Sequence, residues 1–118
     1  MKRLVYFLLP LFFLVFLNIA SCKKKNLLTP VCDGSIPNYD TDIKKIIDTK
    51  CMGTFCHNAG ANRGDFTSYS NLEPYINNGA FHRTVLVDQT MPKGNKNALT
   101  QEEINKFQCW ADNNYPEK

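Results

Sequence analysis

The chain has 118 residues, with 14 Lys and Arg against 11 Asp and Glu, for a formal net charge of +3. That length allows one small domain around one core. The near-balanced charge excludes the dense basic face that a nucleic-acid binder needs.

The first 21 residues read as removable. Met1-Lys2-Arg3 is a basic start, Leu4 to Leu17 is an apolar run, and small residues precede Cys22. A charged start, a short apolar centre and small residues before a cut describe a secretory signal. A membrane-crossing helix needs roughly 20 apolar residues, and this tract is shorter and carries Pro10. Ile19-Ala20-Ser21-Cys22 also resembles the lipobox of bacterial lipoproteins, which implies a lipid on Cys22 as the new N-terminus. An ordinary signal peptide and an uncleaved anchor are the alternatives. Removing residues 1–21 takes away Lys2 and Arg3, and leaves 97 residues with 12 basic against 11 acidic side chains. So small a core gains from a covalent cofactor or a disulfide.

Residues 22–39 read as lipidated N-terminus and tether. Lys23-Lys24-Lys25 suits either a solvated start or contact with anionic headgroups. Pro30, Gly34 and Pro37 break regular structure after it. The domain proper is expected over residues 40–118.

The first helix is expected from Asp40 or Thr41, both suitable caps. Ile43, Ile46 and Ile47 recur on one face, with Lys44 and Lys45 outward. The helix then delivers Cys51 from its C-terminal end. The segment from Asn58 to Phe66 is rich in Gly, Asn and Ala and reads as loop. A second helix is expected from about Asn71 to Asn78, with Ser70 and Glu73 as a capping box and Pro74 at the edge of the first turn. Tyr69, Leu72, Tyr75 and Ile76 form its buried side, and Gly79 stops it. Ala80 to Val87 fits either an extended segment or a helical turn. A loop follows, carrying Met91 just before Pro92. Thr100 to Glu103 is a capping box for the last helix. Ile104, Phe107 and Ala111 share its inner face, with Trp110 on the flank. Cys109 stands about 140° from Ile104 at 100° per residue, so it projects from the outer side.

Cys51-Met52-Gly53-Thr54-Phe55-Cys56-His57 carries the chemistry. Two thiols followed at once by an imidazole follow the attachment logic of a c-type haem. Each thiol can form a thioether with a haem vinyl group, and His57 can take an axial position on the iron. The usual spacing places two residues between the cysteines; here there are four, and Gly53 gives the longer loop room. Two other readings of the same residues stand beside it. One is a Cys51–Cys56 loop disulfide next to a surface histidine. The other is a zinc site built from Cys51, Cys56, His57 and His82. For a sixth iron ligand the candidates are Met91, on a polar loop between the haem segment and the last helix, and His82. Thioether ligation raises the reduction potential relative to two histidines.

The chain has five cysteines. With Cys22 lipidated and Cys51 and Cys56 on haem, Cys32 and Cys109 remain to pair in an oxidising compartment. Without haem, the four mature cysteines form two disulfides instead.

Taken together, a helix, Cys-x4-Cys-His, Asp65-Phe66-Thr67-Ser68-Tyr69, Met91-Pro92, Leu99-Thr100-x-x-Glu103-Ile104 and a Trp-containing last helix resemble the small class I cytochrome c domain. The nearest variant is that of bacterial lipoproteins and planctomycete-type domains. The resemblance spans residues 40–115 and departs from the family in its cysteine spacing. It implies an all-α fold of about three helices around one covalent haem c. Cys51 and Cys56 would hold the haem, with His57 proximal and Met91 distal to the iron. The first and last helices would cross near Ile47, Phe107 and Trp110. The implied function is single-electron transfer, not enzymatic catalysis, by a monomer held to a bilayer in the cell envelope, facing the periplasm beside a redox partner protein. The alternatives are a haem enzyme or gas sensor with an open iron position, and a haem-free, disulfide-stapled lipoprotein with a binding or structural role.

Overall fold

A computed structural model describes residues 32–94 and 98–118. The proposed signal, Cys22 and the first part of the tether lie outside the described residues. Among those described, all regular structure is helical and there is no strand. No helix there is long and apolar enough to cross a membrane.

The chain enters its first helix through a wide turn, Tyr39–Ile43, which runs directly into α1 (Lys44–Lys50). The Ile43 amide reaches back to the Asn38 carbonyl at 3.1 Å, five residues earlier, which makes the turn π-type. The cap is Asn38, whose side chain accepts from the Thr41 amide at 2.9 Å, and not the expected Asp40 or Thr41. The reason lies at the other end of the chain. The amides of Tyr39 and Asp40 donate to the carbonyls of Pro116 and Glu117 at 3.0 and 3.1 Å. Donors that a helix start leaves unpaired are thus satisfied by the C-terminal tail, and Tyr39 can turn its ring into the core.

The second helix, α2 (Tyr69–Asn77), begins earlier than its sequence suggests. Ser68, not Ser70, is the cap, and accepts from the Asn71 amide at 3.3 Å. Pro74 therefore sits inside the helix and not in its first turn. The previously untyped stretch forms a second π-type segment, His82–Val87. The last helix, α3 (Gln101–Asp112), carries the expected box: Thr100 Oγ1 accepts from the Glu103 amide at 3.2 Å, and Glu103 Oε2 accepts from the Thr100 amide at 2.7 Å.

One core unites these pieces. Tyr39, Ile43, Ile47, Leu72, Phe107 and Trp110 are its fully buried large side chains. α3 packs on the Tyr39–Ile43 turn and on the His82–Val87 segment. Lys50, at the end of α1, reaches the start of α3 by an ion pair with Glu103 at 3.6 Å and a bond to the Ala98 carbonyl at 3.2 Å. The buried face of α3 is rotated from the expected one. Trp110 is fully buried, while Ile104 and Ala111 are half-buried. The indole is held by its Nε1 donating to the Pro116 carbonyl at 2.9 Å and by the Tyr115 ring edge-on at 4.9 Å.

Cys32 and Cys109 form a disulfide, with Cα atoms 5.6 Å apart. Cys109, expected on the outer side of α3, is instead buried at 5% exposure, although it lies outside the main core cluster. The segment bearing Cys32, Asp33, Ser35 and Pro37 lines the surface beside it.

Candidate functional site

Cys51 caps the C-terminus of α1, its amide donating to the Ile47 carbonyl at 2.8 Å. The isoleucine stripe that buries α1 also turns this thiol inward, to 9% exposure. The long spacing to Cys56 is taken up by a turn. The Gly53 carbonyl accepts from the Cys56 amide at 2.8 Å and from Asn58 Nδ2 at 2.9 Å. A Cβ at position 53 would stand 3.2 Å from Cys56 Sγ, so a larger residue there would push the sulfur aside by a few tenths of an ångström. Cys56 is half-buried, and Phe55 beside it is 85% exposed.

His57 returns to the helix end, its amide donating to the Cys51 carbonyl at 3.2 Å. Its ring is fixed twice. Nδ1 lies 3.0 Å from the Gly64 carbonyl, so the N–H is on Nδ1. The ring also lies flat on Phe66, with centroids 3.9 Å apart and planes 1° from parallel. The Phe66 amide closes the loop by donating to the His57 carbonyl at 2.9 Å. Among the described residues Nε2 makes no hydrogen bond.

The loop that supplies these contacts is shaped by Gly64 and Asp65. Gly64 has φ +105°, and a Cβ there would come within 2.7 Å of the Tyr75 ring. Only glycine lets the backbone pass so close. Asp65 ties the loop to its own ends. One carboxylate oxygen accepts from the Thr67 amide and hydroxyl at 2.8 and 2.5 Å, the other from the Gly60 amide at 3.3 Å. The Thr67 hydroxyl and then its amide hold this carboxyl below the usual carboxylate range.

Burial pushes the Cys51 thiol up to about 12, with smaller contributions from Cys56 and Glu103. Cys51 and Cys56 are both free thiols here, not a loop disulfide. Among the described residues no three His, Cys, Asp or Glu side chains converge as a ligand set. His82 is engaged elsewhere, its Nδ1 lying 3.1 Å from the Tyr115 hydroxyl. Met91 is half-buried and packs against the same core as Cys51. Its amide donates to the Thr84 carbonyl at 3.2 Å. With Val85, Leu99 and Ile104 it lines a cleft of about 140 Å³.

The structure thus gathers Cys51, Cys56 and His57 on one loop and keeps His82 with the C-terminal tail. Gly64 and Phe66 were not singled out as site residues from sequence. The signal that could have found them is a Gly-Asp-Phe run inside a polar loop that otherwise lacks large apolar residues. No protein-family model, curated protein or solved structure matches this chain.

Proposed function

We propose that this chain is a c-type cytochrome of the small class I fold, anchored by lipid at Cys22, which carries single electrons in the cell envelope. The observation that supports this best is the state of His57. Its Nδ1 is committed to the Gly64 carbonyl, its plane is fixed by Phe66, and Nε2 is left over, two free thiols standing on the same loop. A metal-binding histidine characteristically gives its second nitrogen to a carbonyl in this way, which fixes the tautomer and the ring orientation.

The donor set fits a haem. Cys51 and Cys56 would hold it, each thiol adding its sulfur and its hydrogen across one vinyl double bond, so the attachment needs no oxidant. His57, through Nε2, and Met91 would supply the iron's protein ligands. When bound, the haem supplies the one-electron couple. The chain's part would be to hold His57 and Met91 in place and to keep water out with the core that buries Cys51. Such a carrier needs no substrate pocket, only a surface for brief encounters with a redox partner.

The test is an absorption spectrum of protein made with cytochrome c maturation machinery, before and after acid–acetone extraction. Pigment that stays with the chain and gives sharp bands on reduction is the expected result. A colourless chain overturns the proposal and leaves a disulfide-stapled envelope lipoprotein.

A further inference from the structure

The ring of Phe66 and the ring of His57 are parallel to within 1°, with centroids 3.9 Å apart. The contact is not an accident of a loose surface loop. Phe66 is 7% exposed, and its other contacts hold it in turn. Tyr75, on α2, meets it edge-on at 5.1 Å, the favoured geometry for a second ring. The Gly64 φ of +105° lets the backbone pass beneath Tyr75, which leaves Phe66 between the tyrosine and the histidine. Asp65 ties the loop together by accepting from the amides of Gly60 and Thr67, on either side of it in the chain.

The Nδ1 bond to Gly64 leaves one freedom to the imidazole: a ring held by a single hydrogen bond can still tilt about it. A flat face laid against the ring removes that tilt. We infer that Phe66 is a positioning residue that fixes the plane of the His57 imidazole, and hence the direction in which Nε2 presents its lone pair to a ligand. The inference rests on the reading of His57 as an axial ligand for its consequence, but not for the contact itself. It places the support for His57 on α2, through Tyr75, and not only on the loop that bears the cysteines.

The experiment uses the full processed chain, in whichever form it is purified. Where the chain carries haem, the readout is the ferric electron paramagnetic resonance spectrum, whose g-anisotropy depends on the plane of an axial imidazole. Phe66→Leu, which keeps bulk but loses the flat face, is expected to shift the g values. Phe66→Tyr, which keeps the face, is expected to restore them. Leu72→Val in the core of α2 serves as the control: it lowers thermal stability without moving the g values. Identical g values in wild type and Phe66→Leu overturn the inference, as does an equal shift in Leu72→Val. Where the chain is colourless, the haem reading fails by itself, and nuclear magnetic resonance of the wild type decides the contact. Upfield-shifted His57 ring protons, with cross-peaks to Phe66 and a protonated Nδ1, uphold it. Unshifted His57 ring protons without such cross-peaks overturn it. That last measurement needs no variant, so a misfolded Phe66→Leu does not remove the test.

Discussion

The rings of Tyr39 and Tyr69 meet edge-on at 5.4 Å, yet only one of the two hydroxyls has a partner. Tyr69 donates to the Tyr115 carbonyl at 2.9 Å. The Tyr39 hydroxyl is buried without a hydrogen bond among the described residues. An unpaired buried hydroxyl is costly, because water would have bonded it in the unfolded chain. Tyr39→Phe keeps the ring and removes that cost. It is expected to stabilise the fold by about 1 kcal/mol, raising Tm by about 4–8 °C for a domain of this size. Thermal unfolding followed by circular dichroism checks it, and a lower Tm would mean that the hydroxyl has a partner after all.

The same residue sets a high-pH limit. Burial first, and then the carboxylates of Asp48 and Asp40, push the Tyr39 phenol from 10.0 up to about 12. Between those values the unfolded chain has lost the proton while the folded chain keeps it, so stability falls as pH rises. Below about pH 10 both states hold the proton and Tyr39 contributes no slope. Denaturant titrations at stepped pH should show wild type losing stability between about pH 10 and 12, and Tyr39→Phe losing less. Equal slopes would show that Tyr39 ionises freely in the fold.

The Cys32–Cys109 bridge closes a loop with a sequence separation of 77 residues. On the chain-entropy account, a crosslink over so long a loop stabilises the fold by about 4 kcal/mol. Dithiothreitol should therefore lower Tm sharply. Thioethers at Cys51 and Cys56 would survive it, so the pigment should stay while the stability drops. Loss of pigment on mild reduction would show that the haem was never held by Cys51 and Cys56.

How much of this was legible in the sequence depends on how local each cause is. Ile43, Ile46 and Ile47 placed α1, and Thr100 with Glu103 placed the start of α3, because those signals act within a few residues. The Asn38 cap was not legible, since what satisfies the amides next to it is the tail at Pro116 and Glu117. The rotation of α3 that buries Trp110 has the same origin, in the Pro116 carbonyl that takes the indole N–H. At the site, the order of Cys51, Cys56 and His57 was readable. The fixing of the His57 ring was not, because it depends on a left-handed Gly64 and on where Phe66 lands once α2 forms.

In protein made without attachment machinery, the two site thiols should differ in reactivity. The thiolate is the attacking form, and burial, then Cys56, holds the Cys51 thiol up at about 12. Cys56 is half-buried on the turn. Brief iodoacetamide treatment followed by peptide mass spectrometry should find label on Cys56 first, and on Cys51 only after denaturation. Equal labelling would mean that α1 does not bury its last thiol. Absence of label on both until a reductant is added would reveal a Cys51–Cys56 disulfide.

If the chain carries haem as proposed, Met91 and His82 are separated by what happens when each is removed. Met91 packs on the same core as Cys51, and its sulfur is the softer donor that the proposed carrier would use on iron. His82 has its Nδ1 on the Tyr115 hydroxyl, in the strap that also pairs the Tyr39 backbone amide and the Trp110 indole N–H. Met91→Leu keeps the packing volume but offers no ligand, so the reduced protein should go from excluding carbon monoxide to binding it fully. His82→Ala should leave carbon monoxide excluded, and should cost about 1 kcal/mol for the lost hydrogen bond. Carbon monoxide difference spectra and a melting curve on each variant read both effects. The opposite pattern, with uptake only in His82→Ala, would assign the sixth position to His82 and would require the tail to release Tyr115 when haem is bound.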